Sequence, residues 1–139
     1  MIVKSVLLPL APAAAFALFT QKTSVWWPVD RRHTQDPHSD ICLLETGRFY
    51  ERARDGREIE LGHVRSWNPP NHILLDFFVG TSPETPTEVE VTFTAQDNGT
   101  LVTVTHRSKP SSEALWTGRA PRYERSWELV LAALGDAAH

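Results

Sequence analysis

The sequence has one cysteine, Cys42, and one methionine in 139 residues. A single thiol excludes an internal disulfide and every cysteine-rich zinc module, and it fits a reducing, cytoplasmic setting. No apolar run reaches the ~20 residues of a membrane-spanning helix. Basic residues neither cluster nor outnumber the acids: 14 Lys and Arg face 17 Asp and Glu, for a net charge of −3. A face for phosphate backbones is therefore missing, and nucleic acid is excluded as an expected partner. There is no Gly-x-Ser-x-Gly elbow and no glycine-rich phosphate loop. His33, Asp36, His38 and Asp40 share one polar stretch, but no second cluster of regular spacing completes a metal site. No metal and no cofactor is expected, and no catalytic machinery is legible.

Five tryptophans in a chain this short stand out against those absences. Three large rings fall in the C-terminal stretch 111–134. Read at helical spacing, Trp116, Tyr123, Trp127, Val130, Leu131 and Leu134 gather on one face. Each aromatic ring carries roughly 150–250 Å² that needs cover. The spacing predicts a long helix with Ser111 or Ser112 as its N-cap, and Gly118 and Pro121 predict a kink or an interruption.

The cover is legible upstream. Ile2 to Leu8 reads as a strand. Its apolar run also mimics a secretory signal, but Pro9 and Pro12 interrupt it and only Lys4 supplies charge, so the strand is preferred. Two short helices follow, at Pro12–Thr20 and Thr23–Trp27, the second closed by Pro28. Residues 29–40 are polar and read as an exposed loop. From Ile41 the pattern alternates with period two through six strands: near 41–45, 48–53, 59–67, 72–79, 87–93 and 101–106. Asp55–Gly56 and Asn98–Gly99 read as two-residue hairpin turns, and Asn68-Pro69-Pro70-Asn71 as a reversal. At 139 residues the chain is expected to be a single domain, 1–139, with an antiparallel meander. Cys42 lies mid-strand, where a small buried hydrophobe is expected.

On strand parity, His106 joins Val102 and Val104 and is placed facing the helix, and Glu51 joins Phe49. A buried carboxylate needs a partner, and parity alone suggests a Glu51–His106 pair. His106 reads either as a core imidazole with its own partners or as a ligand donor. The tryptophans likewise read either as core or as cavity lining.

Trp26-Trp27-Pro28, Gly47-Arg48-Phe49-Tyr50-Glu51-Arg52, Trp67-Asn68-Pro69-Pro70, the Glu88–Phe93 strand and Asn98-Gly99-Thr100 running to His106 occur in this element order. Together they resemble the SRPBCC superfamily of START-like, helix-grip proteins. Within it, the chain is most similar to the bacterial branch related to the activator of Hsp90 ATPase (AHSA1-like). The likeness covers about residues 3–134, and its motifs are specific as a set and weak singly. Where family members carry a paired glycine before the Arg-Phe strand, this chain has Thr46, a change expected to alter the turn and leave the fold.

The resemblance implies an α+β helix-grip (START/Bet v1-like) fold: a seven-stranded antiparallel sheet wrapped around a long C-terminal helix, with two short helices after strand one. It implies a mostly hydrophobic cavity between sheet and helix, and leaves the chemistry open. The expected function is binding of a hydrophobic or aromatic small molecule there. The expected lining is Trp26, Phe49, Glu51, Trp67, Phe77, Phe93, His106, Trp116, Tyr123 and Trp127. Two alternatives stand beside it: a protein-interaction module with a chaperone partner, and a cyclase- or hydrolase-like enzyme using the same cavity. A homodimer through an edge strand or the loops is left open.

Overall fold

A computed structural model describes all residues, Met1–His139. Its strands are β1 (Ile2–Leu8), β2 (Asp40–Leu43), β3 (Arg48–Arg52), β4 (Glu58–Asn68), β5 (His72–Phe77), β6 (Thr87–Gln96) and β7 (Gly99–Arg107). Its helices are α1 (Pro12–Gln21), α2 (Thr23–Trp26) and α3 (Glu113–Ala137), with a 3-10 turn at Val29–Arg31. The seven strands form one antiparallel sheet ordered β1-β7-β6-β5-β4-β3-β2. Sequence neighbours are spatial neighbours from β2 to β7, as tight turns require, and β1 closes on β7. α3 lies on the inner face.

Alternation decides what goes inside. Thr87, Val89, Val91 and Phe93 of β6 are all buried, as are Val102, Val104 and His106 of β7 and Ile73, Leu75 and Phe77 of β5. They meet Tyr123, Trp127, Val130, Leu131 and Leu134 of α3 in one hydrophobic cluster. A fully buried side chain of this size contributes about 1.5–3 kcal/mol. The outer face carries ion pairs such as Arg107 with Glu88 and Lys109 with Asp76, each worth at most about 1 kcal/mol.

Several local expectations need correction. α3 is one element through Pro121, with no interruption. Pro121 and Thr117 are both exposed, so the Thr117 carbonyl deprived of its donor lies where solvent serves it. Ser112 is the N-cap residue, but its hydroxyl bonds Lys109 rather than capping the helix. The Asp55–Gly56 turn is a longer loop: Ala53 pairs with Arg57, and only Gly56 has a positive φ, 94°. The turn expected at Asn98–Gly99 sits one residue earlier. Asp97 and Asn98 take positive φ (51° and 64°), and Gly99 is already in β7 opposite Gln96. Asp and Asn tolerate that region, whereas a Cβ at Gly99 would collide with the Leu8 carbonyl. Cys42 is half-buried opposite Tyr50 rather than in the core.

The largest departure is the stretch 29–40. Thr34, Asp36 and Ser39 are buried. The loop is folded down over the end of β3, and this brings it to the site.

Candidate functional site

Glu51 is what folds the loop down. It is fully buried on β3, and its carboxylate accepts from the backbone N–H of His33 (2.7 Å) and Thr34 (2.9 Å), and from the hydroxyls of Thr34 and Ser39 (3.0 Å). Burial pushes its carboxyl up. The hydrogen bonds led by Thr34 outweigh that and hold it below the usual carboxylate range. Asp36 secures the far side of the loop through Arg54 and the His38 N–H, and its carboxyl is lowered to about 2. Arg32 ties the near side to the Ser24 and Trp27 carbonyls. The Trp27 indole donates to the Arg31 carbonyl at 3.2 Å.

Between this anchored loop, the end of β5 and α3 lies a cavity of about 150 Å³. Its walls are Trp27, Phe77, Val79, Tyr123, Trp127 and Val130, and its polar groups come from Arg31, His33, Arg122 and Ser126. Helical spacing explains the α3 contribution: 122, 123, 126, 127 and 130 share one stripe. Gly80 adds backbone at φ 73°, 3.6 Å (as an added Cβ) from the Tyr123 ring. Tyr123 is pinned by donating to the Val79 carbonyl at 2.9 Å, and burial raises its phenol. His33, Gly80 and Arg122 are exposed, which marks the side where the cavity reaches solvent.

Behind the cavity sits a closed polar unit. The Trp127 indole donates to His106 Nδ1 at 2.9 Å, so the imidazole proton is on Nε2, which donates to Thr87 Oγ1 at 2.7 Å. The Thr87 hydroxyl passes on to the Phe77 carbonyl (3.3 Å). Rings of Phe77, Trp116, Tyr123 and Trp127 surround the imidazole at 4.3–6.1 Å between centroids. Burial lowers His106 to about 3, so it is neutral at any ordinary pH. Protonation at Nδ1 would also set two donors against each other.

The Activator of Hsp90 ATPase homolog 1-like family model matches residues 9–138. The chain belongs to that family. No curated protein matches the sequence. Among solved structures it is similar to the self-sacrificing resistance protein CalC from Micromonospora echinospora, with 21% identity and TM-score 0.73 over 99% of this chain and 92% of that one. It is similar to the Aha1 dimer from Colwellia psychrerythraea, with 17% identity and TM-score 0.66 over 99% and 94%. It is also similar to DynU16, a putative protein of the dynemicin biosynthetic locus, at 14% identity and TM-score 0.68. There the chain is covered over 97% but spans only 45% of the other. At these identities the likeness is one of fold, the START-like helix grip.

Within this AHSA1-like chain, the residues expected to line a cavity divide sharply. Phe77, Tyr123 and Trp127 form its wall. Trp67 borders a separate open groove with Phe16, Pro69 and Pro70. Trp26, Phe49 and Phe93 pack in the core, where the Trp26 indole donates to the Leu18 carbonyl. Trp116 packs against Tyr123 with the ring planes tilted by 36°, outside the cavity. The suggested Glu51–His106 pair does not form, because Glu51 is taken by the loop and His106 by Trp127 and Thr87. Parity set both facing inward correctly, but a face does not specify a partner. The lining residues outside that expectation are Trp27, Arg31, His33, Val79, Gly80, Val130, Arg122 and Ser126. The last two had a legible signal, since they lie on the same helical stripe as Tyr123 and Trp127. Trp27 was among the tryptophans that read either as core or as lining, and Arg31 and His33 of the loop had no signal.

No helix is long and apolar enough to cross a membrane.

Proposed function

We propose that this protein is a cytoplasmic binder of a small hydrophobic or aromatic molecule, held between the loop 29–40, the end of β5 and α3. The observation that carries the reading is the cavity of about 150 Å³ walled by Trp27, Phe77, Tyr123, Trp127 and Val130. An apolar space of roughly that size accepts a benzene-sized guest. It lies below the ~300–1,000 Å³ of sites for larger ligands, so the occupant is one ring or a short branched chain. The reading is independent of catalysis. His106 is the one strongly perturbed imidazole nearby, and both of its nitrogens are already engaged.

A chaperone-activator role, raised by the family's description, needs a partner face. The large exposed apolar residues are spread thinly over the molecule: Val3 and Leu7 on β1, Val25 on α2, Ile59 on β4, and Leu115 and Leu129 on α3, fourteen residues apart. The ligand reading is therefore preferred, in a monomer or a dimer alike.

The test is a toluene titration followed by tryptophan fluorescence and thermal unfolding, with Ser126→Phe as the control. Ser126 is half-buried on the cavity wall, so a ring placed there occupies the space. Toluene is expected to raise Tm and change the emission of the native protein, and to do neither in Ser126→Phe. Equal responses in the two proteins, or none in either, would refute the reading.

A further inference from the structure

The cavity's charge is lopsided in a way that its apolar walls do not require. Its lining includes two arginines and a histidine but no aspartate or glutamate, although acids outnumber bases in the chain as a whole. Most arginines elsewhere find carboxylates: Arg48 meets Glu58 and Glu60, Arg54 meets Asp36, Arg65 meets Asp76, and Arg107 meets Glu88, whereas Arg119 bonds the Thr81 hydroxyl instead. Neither Arg31 nor Arg122 appears in any ion pair. Arg31 Nε is moreover buried without any hydrogen-bond acceptor. Arg32 Nε is in the same condition, but that side chain's other nitrogens are satisfied by the Ser24, Trp27 and Ser39 carbonyls, and it does not line the cavity.

A buried guanidinium donor without an acceptor is costly, and it gains most from a partner that is itself charged. The position of Arg31 is fixed rather than incidental. Its carbonyl is held by the indole of Trp27, another wall residue, and the loop beyond it by Glu51. Arg122 approaches from α3, one helical turn before Ser126, which offers a hydroxyl on the same stripe.

We propose that the occupant is a small aromatic carboxylate, its ring against Phe77, Tyr123 and Trp127 and its anionic end toward Arg31 and Arg122. This rests on the small-molecule reading above and narrows it to one chemical class. The carboxylate supplies the acceptor that the buried Arg31 Nε lacks, and the charge partner that neither arginine has. The ring fills the space that the aromatic wall leaves open.

Benzoate, benzamide and benzylamine share one ring and differ in charge at pH 7.5, so they separate the two ideas when titrated beside toluene. Benzoate is expected to bind at least tenfold tighter than benzamide, and benzylammonium more weakly than either. Raised salt should weaken benzoate alone. Arg31→Met and Arg122→Met should each bring benzoate down toward benzamide. Arg122→Glu, at an exposed position that the fold tolerates, should move the preference toward benzylammonium. Benzoate and benzamide binding equally well would overturn the anion assignment and leave the small-molecule reading standing. Absence of any toluene response would overturn the small-molecule reading and the anion assignment that rests on it.

Discussion

Two neighbouring patches against the inner side of α3 handle polar groups in opposite ways. At one, the Trp127 indole, the His106 imidazole, the Thr87 hydroxyl and the Phe77 carbonyl form a closed relay in which each donor has an acceptor. Aromatic rings pack around it on every side. At the other, Arg31 and Arg122 border an open space with no carboxylate beside them. The first patch is finished core. The second is core with one component missing. A buried polar residue therefore says little about function until its partners are counted. His106 reads in sequence either as a core imidazole or as a ligand donor, and its full set of partners places it in the core.

The largest expected effect is at the closed patch. His106→Leu keeps an apolar volume but orphans the Trp127 N–H and takes from the Thr87 oxygen the bond it accepts, and should cost about 3 kcal/mol in denaturant unfolding. A change below ~1 kcal/mol would mean that the relay is not a structural unit. The same residue sets the acid response. Its folded value of about 3 lies below the ordinary 6.5. The unfolded chain therefore takes a proton that the folded one refuses. The stabilisation is complete above the ordinary value and is lost progressively as pH falls from 6.5 toward 3. His106→Leu should flatten Tm against pH across that window. What remains should be the loss at lower pH from carboxylates depressed in the fold, Glu51 and Asp36 among them.

A smaller effect is expected where the two patches meet the loop. Glu51→Gln removes the charge that four donors converge on, and should cost about 2 kcal/mol. Because the loop carries Arg31 and His33, the variant should also lose cavity binding. Amide exchange of the His33 and Thr34 N–H groups, which donate to that carboxylate, should accelerate. Unchanged exchange would show that the loop is held by other means. The smallest stability effects belong to the open patch. Arg122→Met and Ser126→Phe should shift unfolding by no more than about 0.5 kcal/mol, since neither breaks an internal partnership. Their consequences should appear in binding alone.

Much of the architecture was legible in the sequence because alternation and helical spacing report burial directly. β1 spans the expected Ile2–Leu8, and the inward parities of β5, β6 and β7 hold from Ile73 to His106. The belonging to an AHSA1-like family was legible from motifs in order. The site was less so, for a physical reason: periodicity says which way a side chain faces, not whether the space before it is filled. Phe93 and Trp127 both face inward, yet Phe93 meets Phe16 and Phe19, while Trp127 meets a void on one side. The loop 29–40 was opaque because its burial follows from long-range hydrogen bonds to Glu51, and such bonds leave no period in sequence. The continuity of α3 through Pro121 depended on where solvent lies, which is equally non-local.

The contrast between the patches is tested most directly by following the indole N–H resonances of the five tryptophans during a toluene titration. Each indole reports one place: Trp27 and Trp127 on the cavity wall, Trp26 in the core, Trp67 at the separate groove, and Trp116 beside the relay. Saturable shifts are expected at Trp27 and Trp127, with Trp26 and Trp67 unmoved. Shifts centred on Trp67, or no shift at Trp27 and Trp127 at saturating toluene, would contradict that contrast.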